Sequence, residues 1–144
     1  MSSSERPEYG SVMMVNIADV VPVPVSTLTV AHDQGSSRPL VDVNTCGSPD
    51  LLMANFRMAP HQHHPRHRHA NVGEIYFVVA GRCRMEVGDT VQWVESGAAI
   101  YVPRGTTHCV DTDDVGVSLL VIYPQGDHRN VEKEFVEPDS ELRF

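Results

Sequence analysis

Five histidines fall within nine residues in the run His61-Gln62-His63-His64-Pro65-Arg66-His67-Arg68-His69, and another, His108, stands far downstream. Imidazole is both the commonest metal ligand in proteins and a proton-transfer group near neutral pH. His67 and His69 are separated by one residue, so on an extended strand both rings point to the same side. Glu74 follows across a short stretch containing Asn71 and Gly73, near enough for the next strand to set a carboxylate beside them. His108 comes just after a turn containing Pro103 and Gly105 and can approach from another strand. Three imidazoles and one carboxylate suit a divalent ion of intermediate softness, such as zinc, iron, manganese, nickel or cobalt. Four protein ligands leave two octahedral positions for water or substrate, the open geometry that catalysis needs.

Each of these residues has a plainer reading when taken alone. His67 or His69 would be an exposed loop histidine, Glu74 a solvated carboxylate at a strand start, and His108 a satisfied histidine at a turn. Their joint spacing favours the metal. His61 and His63 share the parity of His67 and His69 and are candidates for additional or supporting ligands, although Pro65 interrupts the alternation. His64 reads as part of an exposed loop, and His32 and His128 as structural or surface residues.

The elements that must position these groups read as β-strands. Glycine and proline number ten each, and short Val/Ile/Tyr/Phe-rich stretches recur between turn signals, which is the texture of a sandwich or barrel. Residues 11–31 hold two β-like pieces whose prolines suggest edge positions. Residues 33–38 form a turn-rich loop, and 51–59 form a strand. Strand 74–80 ends at Gly81, and 82–87 pairs with 90–95 as a hairpin around Gly88-Asp89, a pair suited to a type II′ turn. Strands follow at 98–102, 107–111 and 115–123. If Glu74 points inward, so do Tyr76 and Val78, leaving Ile75, Phe77 and Val79 outside. Strand 115–123 is two-sided in the same way. A sheet that is apolar on both faces needs a second cover, so a homodimer is expected. Tyr76, on Glu74's side, is the candidate catalytic group. Asn55 and Arg57 share the parity of His61 and are weighed as lining the mouth or facing solvent, whereas Arg104 reads as exposed.

Two motifs carry a family resemblance. The stretch His67-x-His69-x4-Glu74-x6-Gly81 and the stretch Gly97-x5-Pro103-x-Gly105-x2-His108 resemble the paired motifs of the cupin family, in order and at every ligand slot. The first motif usually opens with Gly where this chain has His61, and the second usually ends with Asn where it has Thr112; neither position supplies a ligand. The resemblance implies an all-β fold, the cupin double-stranded β-helix or jelly-roll barrel. It also implies one divalent metal ion held by His67, His69, Glu74 and His108. Expected boundaries are a flexible N-terminus at 1–10, one barrel domain at 11–126 and an acidic tail at 127–144, solvated or as a short helix on the barrel.

Cupins host many reactions, and fold alone names none of them. Such an ion can polarise a carbonyl and stabilise an enolate, which serves isomerases, lyases and cyclases. Size, solitary domain and apolar lining resemble the small cupin cyclases of bacterial aromatic polyketide pathways. Alternatives are an iron-dependent dioxygenase, a sugar-type isomerase, or a ligand-binding module without catalysis. Eleven basic residues against nineteen acidic ones give a net charge of -8, which repels nucleic acid. No run reaches membrane-spanning length. Cys46, Cys83 and Cys109 show no C-x-x-C spacing and read as free thiols. A cytoplasmic protein with a small-molecule substrate and a second copy of itself as partner is the expectation.

Overall fold

The computed structural model describes residues 8–136. Ten strands follow in chain order: β1 (Val23–Pro24), β2 (Ser36–Val41), β3 (Leu52–Met58), β4 (His63–Arg68), β5 (Glu74–Val87), β6 (Thr90–Glu95), β7 (Ala99–Val102), β8 (His108–Asp111), β9 (Val117–Tyr123) and β10 (Glu134–Phe135). The described helical structure is three short 3-10 turns, so the fold is all-β. Every pairing is antiparallel, in the order β1-β2-β3-β9-β5-β8-β4-β10, with β6 and β7 also on β5.

One strand joins the two halves of this curled sheet. The first part of β5 pairs with β7 and β9, and its second part pairs with β6 and β8. The register slips between Val78 and Ala80, and Gly81 takes φ 77. A Cβ there would lie 1.9 Å from the Gly116 carbonyl oxygen, so only glycine lets the chain bend between the sheets. The sequence therefore ends a strand at Gly81 where the structure kinks one and carries it on. The hairpin at Gly88-Asp89 forms as expected, with Gly88 at φ 56.

The parity reading of the central strands also appears in the structure. Tyr76, Val78, Leu119 and Val121 are buried in the core with Phe56, Met85 and Val110, while Ile75, Phe77 and Val79 face outward. Cys46, Cys83 and Cys109 are free thiols. Among the described residues no helix is long and apolar enough to cross a membrane.

Three expectations are corrected. Residues 11–31 yield one two-residue strand and two 3-10 turns, because Asn16 caps a turn through its side chain and Pro22 and Pro24 interrupt the ladder. Residues 36–41, assigned in part to a loop, form β2, which accommodates Pro39 at a register shift. Residues 127–136, expected as a solvated tail or a short helix on the barrel, form a 3-10 turn at His128–Asn130 and then a strand not expected, β10, which pairs with β4 at Arg68 and His67. The rest of the expected tail and residues 1–7 lie outside the described residues.

Candidate metal centre

His67 on β4 pairs directly with His108 on β8, which sets their rings 4.1 Å apart between centroids. His69 follows the end of β4, and Glu74 opens β5. One ligand atom from each of these four buried residues lies within 4.8 Å of all the others. The spacing-based constellation is therefore brought together by three strands.

The hydrogen bonds behind the rings decide what the centre needs. His67 Nδ1 donates to the Pro65 carbonyl at 2.7 Å, His108 Nδ1 to the Thr106 carbonyl at 3.0 Å, and His69 Nδ1 to the Glu132 carbonyl at 3.0 Å. A carbonyl can only accept, so each Nδ1 carries a proton, and the neutral form of each ring turns a bare Nε2 lone pair inward. Glu74 Oε1 lies 2.9 Å from His108 Nε2 and 3.4 Å from His69 Nε2. Glu74 Oε1 and His108 Nε2 are buried without a hydrogen-bond partner. Lone pairs converging on a carboxylate repel unless a cation stands among them, and orphaned buried acceptors of this kind are rare. The donor set fits one divalent ion.

Burial, followed by the charges of His64 and His108, holds the His67 imidazole well below 6.5, so it stays neutral and able to ligate. Burial pushes the Glu74 carboxyl up, but positive charge and donors at His108 and His69 would hold it well below the usual carboxylate range, and a cation among the same atoms would act in the same direction. Burial also raises the Tyr76 and Tyr123 phenols well above 10.0, with Glu74's charge adding to both, so each remains a proton donor.

A cavity of about 270 Å³ reaches the cluster at Glu74 and is lined there by Tyr76 and Tyr123 as well. Most of its wall is apolar, including Val25, Leu52, Ala54, Phe56 and Val121. Tyr76 points inward as parity requires. Tyr123, inward by the same parity but not singled out as a site residue, places its hydroxyl 3.3 Å from His69 Nε2.

The surplus histidines fall differently from expectation. His61 sits at φ 58, half-exposed, with its Nε2 3.1 Å from Asp114. His63 is buried against Asp111, Nδ1 to Oδ1 at 2.6 Å. Neither stands within the four-residue cluster. His64, read as an exposed loop residue, is buried, bonds Asp33 Oδ1 through Nδ1 at 2.7 Å, packs on His67 and lines the cavity. The cause is a register shift between His64 and His67, which reverses the in-out alternation across Pro65. His128, read as structural or surface, also lines the cavity.

Asn55 and Arg57 do not line this cavity. Asn55 is fully buried, donating to Ser118 Oγ and the Leu119 carbonyl, and Arg57 Nε donates to Asn55 Oδ1. Their neighbours Ala54 and Phe56 take the inward positions. Arg104 is exposed.

Comparison with known proteins agrees with this geometry, for residues 54–123 match the cupin domain family. That match spans just under half of the chain. The polyketide cyclase RemF from Streptomyces resistomycificus superposes on this chain with a TM-score of 0.69 at 23% identity, covering 89% of each chain. Oxalate decarboxylase from Bacillus subtilis superposes with a TM-score of 0.67 at 20% identity, covering 90% of this chain but 34% of the decarboxylase. A DMSP lyase structure covers 72% of this chain and 53% of its own, with a TM-score of 0.63 at 18% identity. At these identities the likeness shows the cupin fold. An uncharacterized protein of Streptomyces coelicolor is 36% identical over 50 residues, 35% of this chain, and the match spans about half (48%) of that relative.

Proposed function

We propose that this cupin is a metal-dependent enzyme acting on a small carbonyl compound. The single observation carrying this reading is the convergence of three imidazole Nε2 atoms and the Glu74 carboxylate beside a mostly apolar cavity. A divalent ion held by His67, His69, Glu74 and His108 supplies polarisation of a carbonyl and stabilisation of the enolate charge. The chain's own residues supply the rest. The apolar wall excludes water and seats the substrate body. Tyr76, neutral and inside the cavity, is placed to donate a proton to an oxygen near Glu74, with Tyr123 beside it as a second donor.

Within that class, a cyclase of aromatic polyketide biosynthesis is the specific reading. It is supported by the near full-length match to RemF, the one of these three structures in which both chains are covered to 89%. A cavity of about 270 Å³ accommodates the reacting end of such a chain rather than the whole of it. Carbonyl activation is tested with acetophenone in heavy water, following methyl-proton exchange by NMR. Metal-loaded protein should accelerate exchange over buffer, and the H67A and H108A variants should not. Exchange at the buffer rate with fully loaded protein would sink the reading. Oxygen uptake dependent on substrate, with iron as the retained metal, would replace it with a dioxygenase.

A further inference from the structure

The cavity beside the cluster also holds a positive charge that no described residue pairs with directly. Lys133 is the chain's single lysine and lines the cavity with Glu74, Tyr76 and His64. Among the described residues its ammonium has no ion-pair or hydrogen-bond partner. The two carboxylates that attract it are engaged elsewhere. Glu74 stands among the imidazoles, and Asp33 accepts from His64 Nδ1 at 2.7 Å and from Thr29 Oγ1 at 2.5 Å.

The backbone on either side of Lys133 is tied down without its help. The Glu132 carbonyl accepts from His69, Glu132 N donates to Asn71 Oδ1 at 3.0 Å, and the Glu134 carboxylate pairs with Arg68 at 2.9 Å. Lys133 is exposed as a residue, which places it at the rim, yet desolvation lowers its ammonium below the usual lysine range against the pull of Glu74 and Asp33. A cation at the edge of a mostly apolar cavity attracts an anion entering it.

We propose that Lys133 is a specificity-determining anchor for a carboxylate, and that the cavity takes a small monocarboxylate with an apolar body. The acid group meets Lys133 at the rim, and the body lies along Val25, Leu52, Phe56 and Val121 toward Glu74. At roughly 30 Å³ per water-sized volume, the cavity has room for about nine, so the ligand is on the order of ten non-hydrogen atoms. This deepens the carbonyl-enzyme reading and rests on it for the reaction, but not for the charge preference.

Benzoate and benzamide share a shape and differ in charge, so calorimetric titration of both into the full-length, metal-loaded protein reads the preference directly. The parent protein should bind benzoate more tightly. K133M, which keeps the apolar stem, should lower the benzoate-to-benzamide affinity ratio about tenfold or more, the range of a lost charge-assisted hydrogen bond. Its affinity for benzamide and its metal content should not change. A ratio unaltered in K133M, or a parent protein that does not favour benzoate, would overturn the proposal. Metal content measured on the same samples keeps the two readings apart. A parent protein that takes up no metal defeats the enzyme reading, while the effect of K133M on the ratio is still read on that metal-free protein.

Discussion

Each imidazole of the cluster is oriented by a carbonyl, and two of the three carbonyls come from the residue two positions earlier: Pro65 for His67 and Thr106 for His108. Local sequence therefore aims two ligands, and Glu74 adds the only carboxylate. Glu74→Gln keeps the volume and removes the charge. It should lower metal affinity by at least ~100-fold, the upper end of what changes behind the ligands cost, as measured by competition with a chelator. The same cluster fixes the direction of a pH response. His67 binds its proton less readily in the fold than in the unfolded chain, where the value is near 6.5. The unfolded state thus holds more protons as pH falls, and stability present above 6.5 is lost as pH drops through the lower folded value. The melting temperature of metal-stripped protein should fall on acidification through that window, and a flat profile there would contradict the neutral, buried assignment of His67.

At the scale of elements, the third ring depends on a segment far away in the chain. His69 is aimed by Glu132, and the loop that carries Glu132 is pinned by Asn71, which accepts from Glu132 N at 3.0 Å and donates to the Asn130 carbonyl at 2.7 Å. Asn71→Ala removes both bonds while touching no ligand. Metal affinity should weaken by about tenfold, as for other changes behind a metal ligand, with the fold retained by circular dichroism. Strand β5 has its own single point of failure at Gly81. A Cβ there meets the Gly116 carbonyl oxygen and carries the left-handed φ of 77. Gly81→Ala should therefore destabilise by about 3 kcal/mol, combining left-handed strain with overpacking, read as a lower urea midpoint at unchanged slope. The bulge at Pro65 shows how element geometry defeats a sequence rule. Counting by twos carried His61 and His63 toward the ligands, but the register shift sends His63 to Asp111 and admits His64 to the cavity.

For the whole molecule, the outer face of β5 and its neighbours is the open question of assembly. Ile75, Phe77 and Val79 are 43%, 38% and 41% exposed, and Tyr101, opposite Ile75 on β7, is 67% exposed. Leu120 and Ile122 pair with Phe77 and Ile75 and extend the same strip. Contiguous apolar surface of this kind marks an interaction site, and we propose that it is covered by a second copy of the chain. Light scattering after gel filtration should give twice the chain mass for the parent protein. Phe77→Lys should give a monomer that keeps its metal, since Phe77 points away from the cluster. A parent protein that is monomeric at all concentrations would refute the homodimer.

The amino-acid sequence by itself determined the four residues of the cluster, the all-β class and the inward parity of β5 and β9. Those features rest on short-range regularities: a two-residue side-chain period, turn residues, and ligands placed at the ends of strands. Tertiary structure alone decided which carbonyl aims His69, that His64 rather than His63 faces the cavity, and that Lys133 lines it. Each of these follows from a bulge or from a contact between segments distant in the chain, such as His69 with Glu132. No local period encodes a register shift or a meeting of remote segments, so only the folded barrel brings them into view.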